Sequence, residues 1–104
     1  MASDRLETLK QFLESRPDDC FVRYGLAQEY VKAEAFEDAI AQFDKILEID
    51  QNYQAAYYHA GKTYEKMGRI DDARAMWERG VETSHRTGDA HARGELEAAL
   101  DATK

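Results

Sequence analysis

The sequence predicts an all-α fold: an α-α superhelix of antiparallel helix pairs, about six helices in a single domain spanning residues 1–104. Three observations lead there. The chain resembles itself at an offset of 34 residues. Apolar residues inside each copy recur at helical spacing. One proline and six glycines leave room for long uninterrupted helices.

Laying residues 20–53 on 54–87 pairs Tyr24 with Tyr58, Tyr30 with Tyr64, and Lys32 with Lys66. It also pairs Asp38 with Asp72, Ala39 with Ala73, Ala41 with Ala75 and Glu48 with Glu82. Similar residues keep the same frame: Ala27 with Gly61, Phe36 with Ile70, Phe43 with Trp77, Leu47 with Val81. Because the matches run the length of the unit, they indicate a repeated fold rather than a local motif.

The first expected helix covers residues 4–16. Asp4-Arg5-Leu6-Glu7 reads as a capping box that opens it, and Leu6, Leu9 and Leu13 share one face. Arg16-Pro17 closes it, since proline disfavours a helical residue before it. The first full repeat, residues 20–53, places Leu26, Ala27 and Tyr30 on one helix and Phe36, Ala39, Ile40, Phe43 and Leu47 on the next. Its turn falls near Glu34 and Ala35. In the second repeat, residues 54–87, Gly68 ends one helix and Asp71 is placed to cap the next. Thr87-Gly88-Asp89 is a break followed by a cap. A final helix within residues 88–103 carries Leu96, Ala99 and Leu100 on one face, with Arg93, Glu95, Glu97 and Asp101 suited to a solvent-facing end.

These spacings resemble the tetratricopeptide repeat, W-x2-L-G-x2-Y, then A-x3-F, then P. The second unit carries Tyr57-x2-Ala60-Gly61-x2-Tyr64 and Ala73-x3-Trp77; the first carries Arg23-x2-Leu26-Ala27-x2-Tyr30 and Ala39-x3-Phe43. Leu9 and Pro17 occupy the Phe and Pro slots of a preceding half repeat. Small residues at 27, 39, 61 and 73 fit where two helix backbones approach closely, and Tyr30, Phe43, Tyr64 and Trp77 fill the space between helices. Departures are Arg23 in an aromatic slot, Gln51 and His85 in proline slots, and Ile46 where a small residue is usual.

The resemblance implies a non-catalytic module that holds a peptide or protein segment in a concave groove lined by the first helices of the repeats. In this frame the groove residues are Phe21, Tyr24, Gln28, Lys32, Tyr58, His59, Lys62, Lys66 and Arg93. Tyr24, Gln28 and Lys32 recur at i, i+4 and i+8, and Tyr58, Lys62 and Lys66 repeat the ladder. Such an aromatic and basic stripe suits an acidic segment. The competing reading is that the tyrosines pack between helices and the lysines are ordinary solvated residues. A family subset clamps the terminal carboxylate of chaperone tails; of the clamp positions only Arg93 agrees here, and Asp89 has the wrong sign, so that ligand is not expected.

The formal net charge is −7, which opposes nucleic acid and anionic membrane partners, both of which need a basic footprint. With Cys20 the lone cysteine, neither an internal disulfide nor a Cys-based zinc site is available. No catalytic set, metal site or cofactor is expected: His59, His85 and His91 read as surface histidines, and Cys20, at a helix start, as a half-buried structural thiol. The charged N-terminal segment lacks the apolar run of a secretory signal, and a cytoplasmic protein is expected. A monomer is expected. The alternative is a self-associating scaffold or homodimer using Leu6, Leu9, Phe12 and Leu13 of the first helix. A small hydrolase or metalloenzyme would need convergent polar groups that the sequence does not display.

Overall fold

The computed structural model describes residues 2–104, with side chains from Asp4 onward. It is built of six helices: α1 (Ala2–Ser15), α2 (Cys20–Lys32), α3 (Phe36–Ile49), α4 (Gln54–Lys66), α5 (Ile70–Thr87) and α6 (Ala90–Ala102). The helix bounds themselves carry the 34-residue offset, α1 onto α3 and α2 onto α4. Each helix packs on its neighbour in sequence, and α4 also touches α6. The result is a slab of 37 × 29 × 18 Å.

The loops repeat as faithfully as the helices. Ala35 N–H donates to the Tyr30 carbonyl at 2.8 Å, and Arg69 N–H to that of Tyr64 at 2.9 Å. Both bonds close a helix end over a residue with positive φ, Glu34 (58°) in the first repeat and Gly68 (77°) in the second. Gly88 (φ 76°) ends α5 in the same way. Arg23, in the aromatic slot, substitutes for its counterpart by chemistry rather than shape. Its Nε donates to the Pro17 carbonyl at 2.9 Å, while Tyr57 OH donates to the Gln51 carbonyl at 2.7 Å. These two acceptors stand 34 residues apart, so one anchor of the turn is made twice with different donors.

Helix starts separate into two kinds. Asp19 and Asp89 are true caps: their carboxylates accept from Val22 N–H (3.1 Å) and Ala92 N–H (3.0 Å). Asp71 is not the cap the sequence suggests. α5 begins at Ile70 behind Arg69 with no side-chain cap, and Asp71 and Asp72 sit in its first turn, where they favour the helix dipole instead. Asp4 is likewise no N-cap. α1 begins at Ala2, and the Asp4 carbonyl accepts from Thr8 Oγ1 at 2.9 Å, one turn further on.

The core lies between the helix pairs. Ala27, Ala39, Ala60 and Ala73 are fully buried, with Phe43 and Trp77 beside them. Trp77 donates its indole N–H to the Tyr58 carbonyl at 3.1 Å. Ile46, in a slot where a small residue is usual, is fully buried. Its counterpart Gly80 has no room for a side chain, because a Cβ there would stand 2.8 Å from Leu96 Cδ1. α1 is the most weakly held element: Leu6, Leu9 and Leu13 are only half-buried, against α2.

Candidate functional site

Two clefts open among the helices. The first, about 670 Å³, lies between α1 and α2 and takes in four of the nine expected groove residues: Phe21, Tyr24, Gln28 and Lys32. Its apolar surface is unusually open. Phe21 is 77% exposed and Phe12 48%, whereas most large apolar side chains of the chain are buried or half-buried. Gln28 Nε2 donates to Tyr24 OH at 3.0 Å, fixing that pair along one helix face.

At the rim of this cleft the cations are outward and the anions spent. Glu29, buried to 3% exposure, receives Arg5 Nε at 3.3 Å and Lys32 Nζ at 3.2 Å, while both cations stay largely in solvent. Asp19 is committed to the α2 cap, with Arg16 3.9 Å away. Arg5, Arg16 and Lys32 therefore dominate the accessible charge.

The second cleft, about 350 Å³, lies between α4 and α6 and is lined by Tyr58, His59, Asp89, His91 and Glu95 among others. Here the accessible charge is negative. His91, 88% exposed, is 3.5 Å from Glu95. His59 is half-buried rather than on the surface as the sequence suggests, because its ring is clasped edge-on by Tyr24 (5.5 Å between centroids) and Tyr58 (5.1 Å). Burial pulls its pKa below the ordinary 6.5, with Glu95 opposing the shift. It is thus a neutral ring at pH 7. The amide of Gln54, in the same wall, is buried with no hydrogen-bond partner among the described residues.

The Tyr24–His59 contact joins the two clefts, since Tyr24 lines one and His59 the other. Lys62 stands beside this line, its ammonium 5.9 Å from the rings of both Tyr58 and Trp77 and 3.4 Å from Glu65. Lys66 is exposed and lines neither cleft; Arg93 lines neither and lies 3.4 Å from His85 and 3.9 Å from Glu97. Among the cleft residues outside the expected nine are Arg5, Phe12, Arg16 and Glu29 in the first cleft and Gln54, Asp89, His91 and Glu95 in the second. Gln54 had a readable signal, since it fills the slot of Cys20 one repeat earlier.

Cys20 offers no activated thiol. Burial first, then Asp50 and Asp19, push its pKa up despite the helix start, and Sγ lies 3.9 Å from the Ile46 carbonyl. Among the described residues no three His, Cys, Asp or Glu side chains gather where they could hold a metal ion. No helix among them is long and apolar enough to cross a membrane.

Comparison with known proteins agrees with this geometry. Residues 30–100 match the family model described as tetratricopeptide repeat. A protein of Pseudomonas aeruginosa named as TPR repeat-containing is 31% identical over 91 residues, 88% of this chain and 87% of that one. The solution structure of a tetratricopeptide repeat domain protein from Salinibacter ruber is 38% identical, with a TM-score of 0.79 over 85% of this chain and 89% of that one. The TPR2B domain of yeast Sti1, solved as a pHsp70 complex, shares the fold at a TM-score of 0.86 with 17% identity, over 97% of this chain and 83% of that one. Repeat length, loop hydrogen bonds and small-residue slots thus converge with these matches, and the chain belongs to the tetratricopeptide repeat family.

Proposed function

We propose that this protein is a non-catalytic interaction module that holds a peptide or protein segment along the furrow formed by the two clefts. The observation that carries this reading is the pair of exposed aromatic side chains, Phe12 and Phe21, at the mouth of the α1–α2 cleft. Open apolar surface rimmed by charge costs solubility and gives a partner its burial energy. Tyr24, with the Gln28 amide bonded to its hydroxyl, adds an aromatic wall that loses little entropy on binding. The TPR2B domain of yeast Sti1, which shares this fold, was solved as a pHsp70 complex, and that supports a binding role for a module of this shape.

The test is selection of a phage-displayed random peptide library on the immobilised protein. Enriched peptides are expected to share a motif and to lose binding at least about tenfold on Phe21→Ser or Tyr24→Ala, hot-spot behaviour for an aromatic anchor. The exposed Lys45 on α3 serves as control, and Lys45→Ala should leave binding unchanged. No enrichment, or enriched peptides indifferent to Phe21 and Tyr24, would overturn the reading.

Self-association is the second reading, favoured by the exposure of Phe12 on the loosely held α1. Sedimentation over a hundredfold concentration range distinguishes it: a rising mass that Phe12→Ser abolishes would move the assignment to a homodimer.

A further inference from the structure

Resting on the furrow reading above, we infer that the partner segment is split in charge, with an aromatic or large aliphatic residue flanked by carboxylates at the α1–α2 end and a lysine or arginine at the α4–α6 end. The single basic stripe expected from the sequence would accept acid along its whole length. The observed surface is instead divided at Tyr24 and His59.

Around the first cleft, Arg5, Arg16 and Lys32 are about two-thirds exposed, at 64, 66 and 69% of their side chains. The acids beside them are the buried Glu29 and the helix-capping Asp19. A ligand carboxylate there meets three exposed cations set against two acids, one buried and one engaged in the helix cap. Around the second cleft the order reverses. Asp89 uses one oxygen for the Ala92 N–H, and Glu95 is 54% exposed. Neither faces a lysine or arginine within the cleft lining, and burial keeps His59 neutral. A cation entering there finds two carboxylates and the Tyr58 ring, a combination of charge pairing and cation–π attraction. Since Tyr24 and His59 touch, one extended segment reaches both ends. Linking the two contacts then raises affinity through effective concentration. On a chain of net charge −7, a cationic patch at one end also fixes the direction in which the segment lies.

The test uses fluorescein-labelled synthetic peptides: an acidic block Glu-Glu-Trp-Glu, a basic block Lys-Arg-Lys, and both joined through Gly-Ser-Gly-Ser in each order, with affinities from fluorescence anisotropy at low salt. One joined order is expected to bind at least about tenfold more tightly than the acidic block alone. Arg16→Glu with Lys32→Glu should weaken the acidic block. Glu95→Lys should remove the gain from joining, read as the ratio of joined-peptide to acidic-block affinity on the same variant, and a joined peptide carrying Glu-Glu-Glu in place of the basic block should recover it. These positions are exposed, and circular dichroism checks that each variant is folded. If neither joined order gains over the acidic block, or Glu95→Lys changes nothing, the split-charge inference is overturned while the furrow stands. If no peptide binds the wild-type protein, and the library selection also yields none, both readings fall.

Discussion

The indole of Trp77 lies flat against the backbone of Gly61, so that a methyl group at position 61 would overlap the ring atoms Nε1, Cδ1 and Cε2. One repeat earlier the same pair of slots holds Ala27 and Phe43, both fully buried. The larger ring is matched by the smaller backbone residue, and the two repeats solve one packing problem with different volumes. Gly61→Ala should therefore destabilise the protein by about 1–3 kcal/mol through overpacking. Adding Trp77→Phe recreates the first repeat's pair and should recover part of the loss. Urea unfolding of the single and double variants measures this; a double variant no more stable than Gly61→Ala would contradict it.

Glu34 pays a steric cost that Gly68 avoids in the equivalent turn, as both have positive φ. Glu34→Gly should stabilise by about 0.5–1 kcal/mol, the left-handed penalty less the added entropy of glycine in the unfolded chain. Gly68→Ala should destabilise by about 1 kcal/mol. Thermal melts of the two variants should move in opposite directions.

His59 makes folding sensitive to acid. Its folded pKa is below the ordinary 6.5, chiefly through burial. Between those two values the unfolded chain binds more protons than the native one, so stability falls as pH drops through that window. It is fully present above 6.5. His59→Gln should flatten the dependence of unfolding free energy on pH below 6.5. NMR titration of the wild-type ring should give a pKa below the ordinary 6.5.

Gln54 buries both polar atoms of its amide without partners among the described residues. An apolar side chain of similar shape removes that desolvation cost, so Gln54→Met should raise stability by about 1 kcal/mol. A loss of stability in urea unfolding would mean the amide is satisfied in solution.

How far the sequence foretold this structure depends on what each residue answers to. Ala27, Ala39, Gly61 and Ala73 were legible because close backbone approach tolerates few alternatives, and the 34-residue offset marks each slot twice. The turn at Glu34 was legible from its neighbour's glycine. Helix starts were less so: aspartates at 4, 19, 71 and 89 look alike in sequence, yet only Asp19 and Asp89 bond the N–H groups as caps. The furrow was half legible. Periodicity put Tyr24 and Gln28 on one face, but it could not say that Glu29 would bury beneath Arg5 and Lys32, or that Lys62 would lean over Trp77. Nor could it place Asp89 and Glu95 beside Tyr58, since that depends on how α6 crosses α4, a tertiary angle with no local code.

Packing mainly between sequence neighbours, with helix bounds that recur at one fixed interval, makes the molecule a cassette. A second copy of residues 20–53 spliced in after Tyr53 would find, on each side, a surface it already matches. The lengthened array should unfold in a broader transition as its joints part in sequence, and it would present the Tyr24 position twice, doubling the footprint available to a longer ligand.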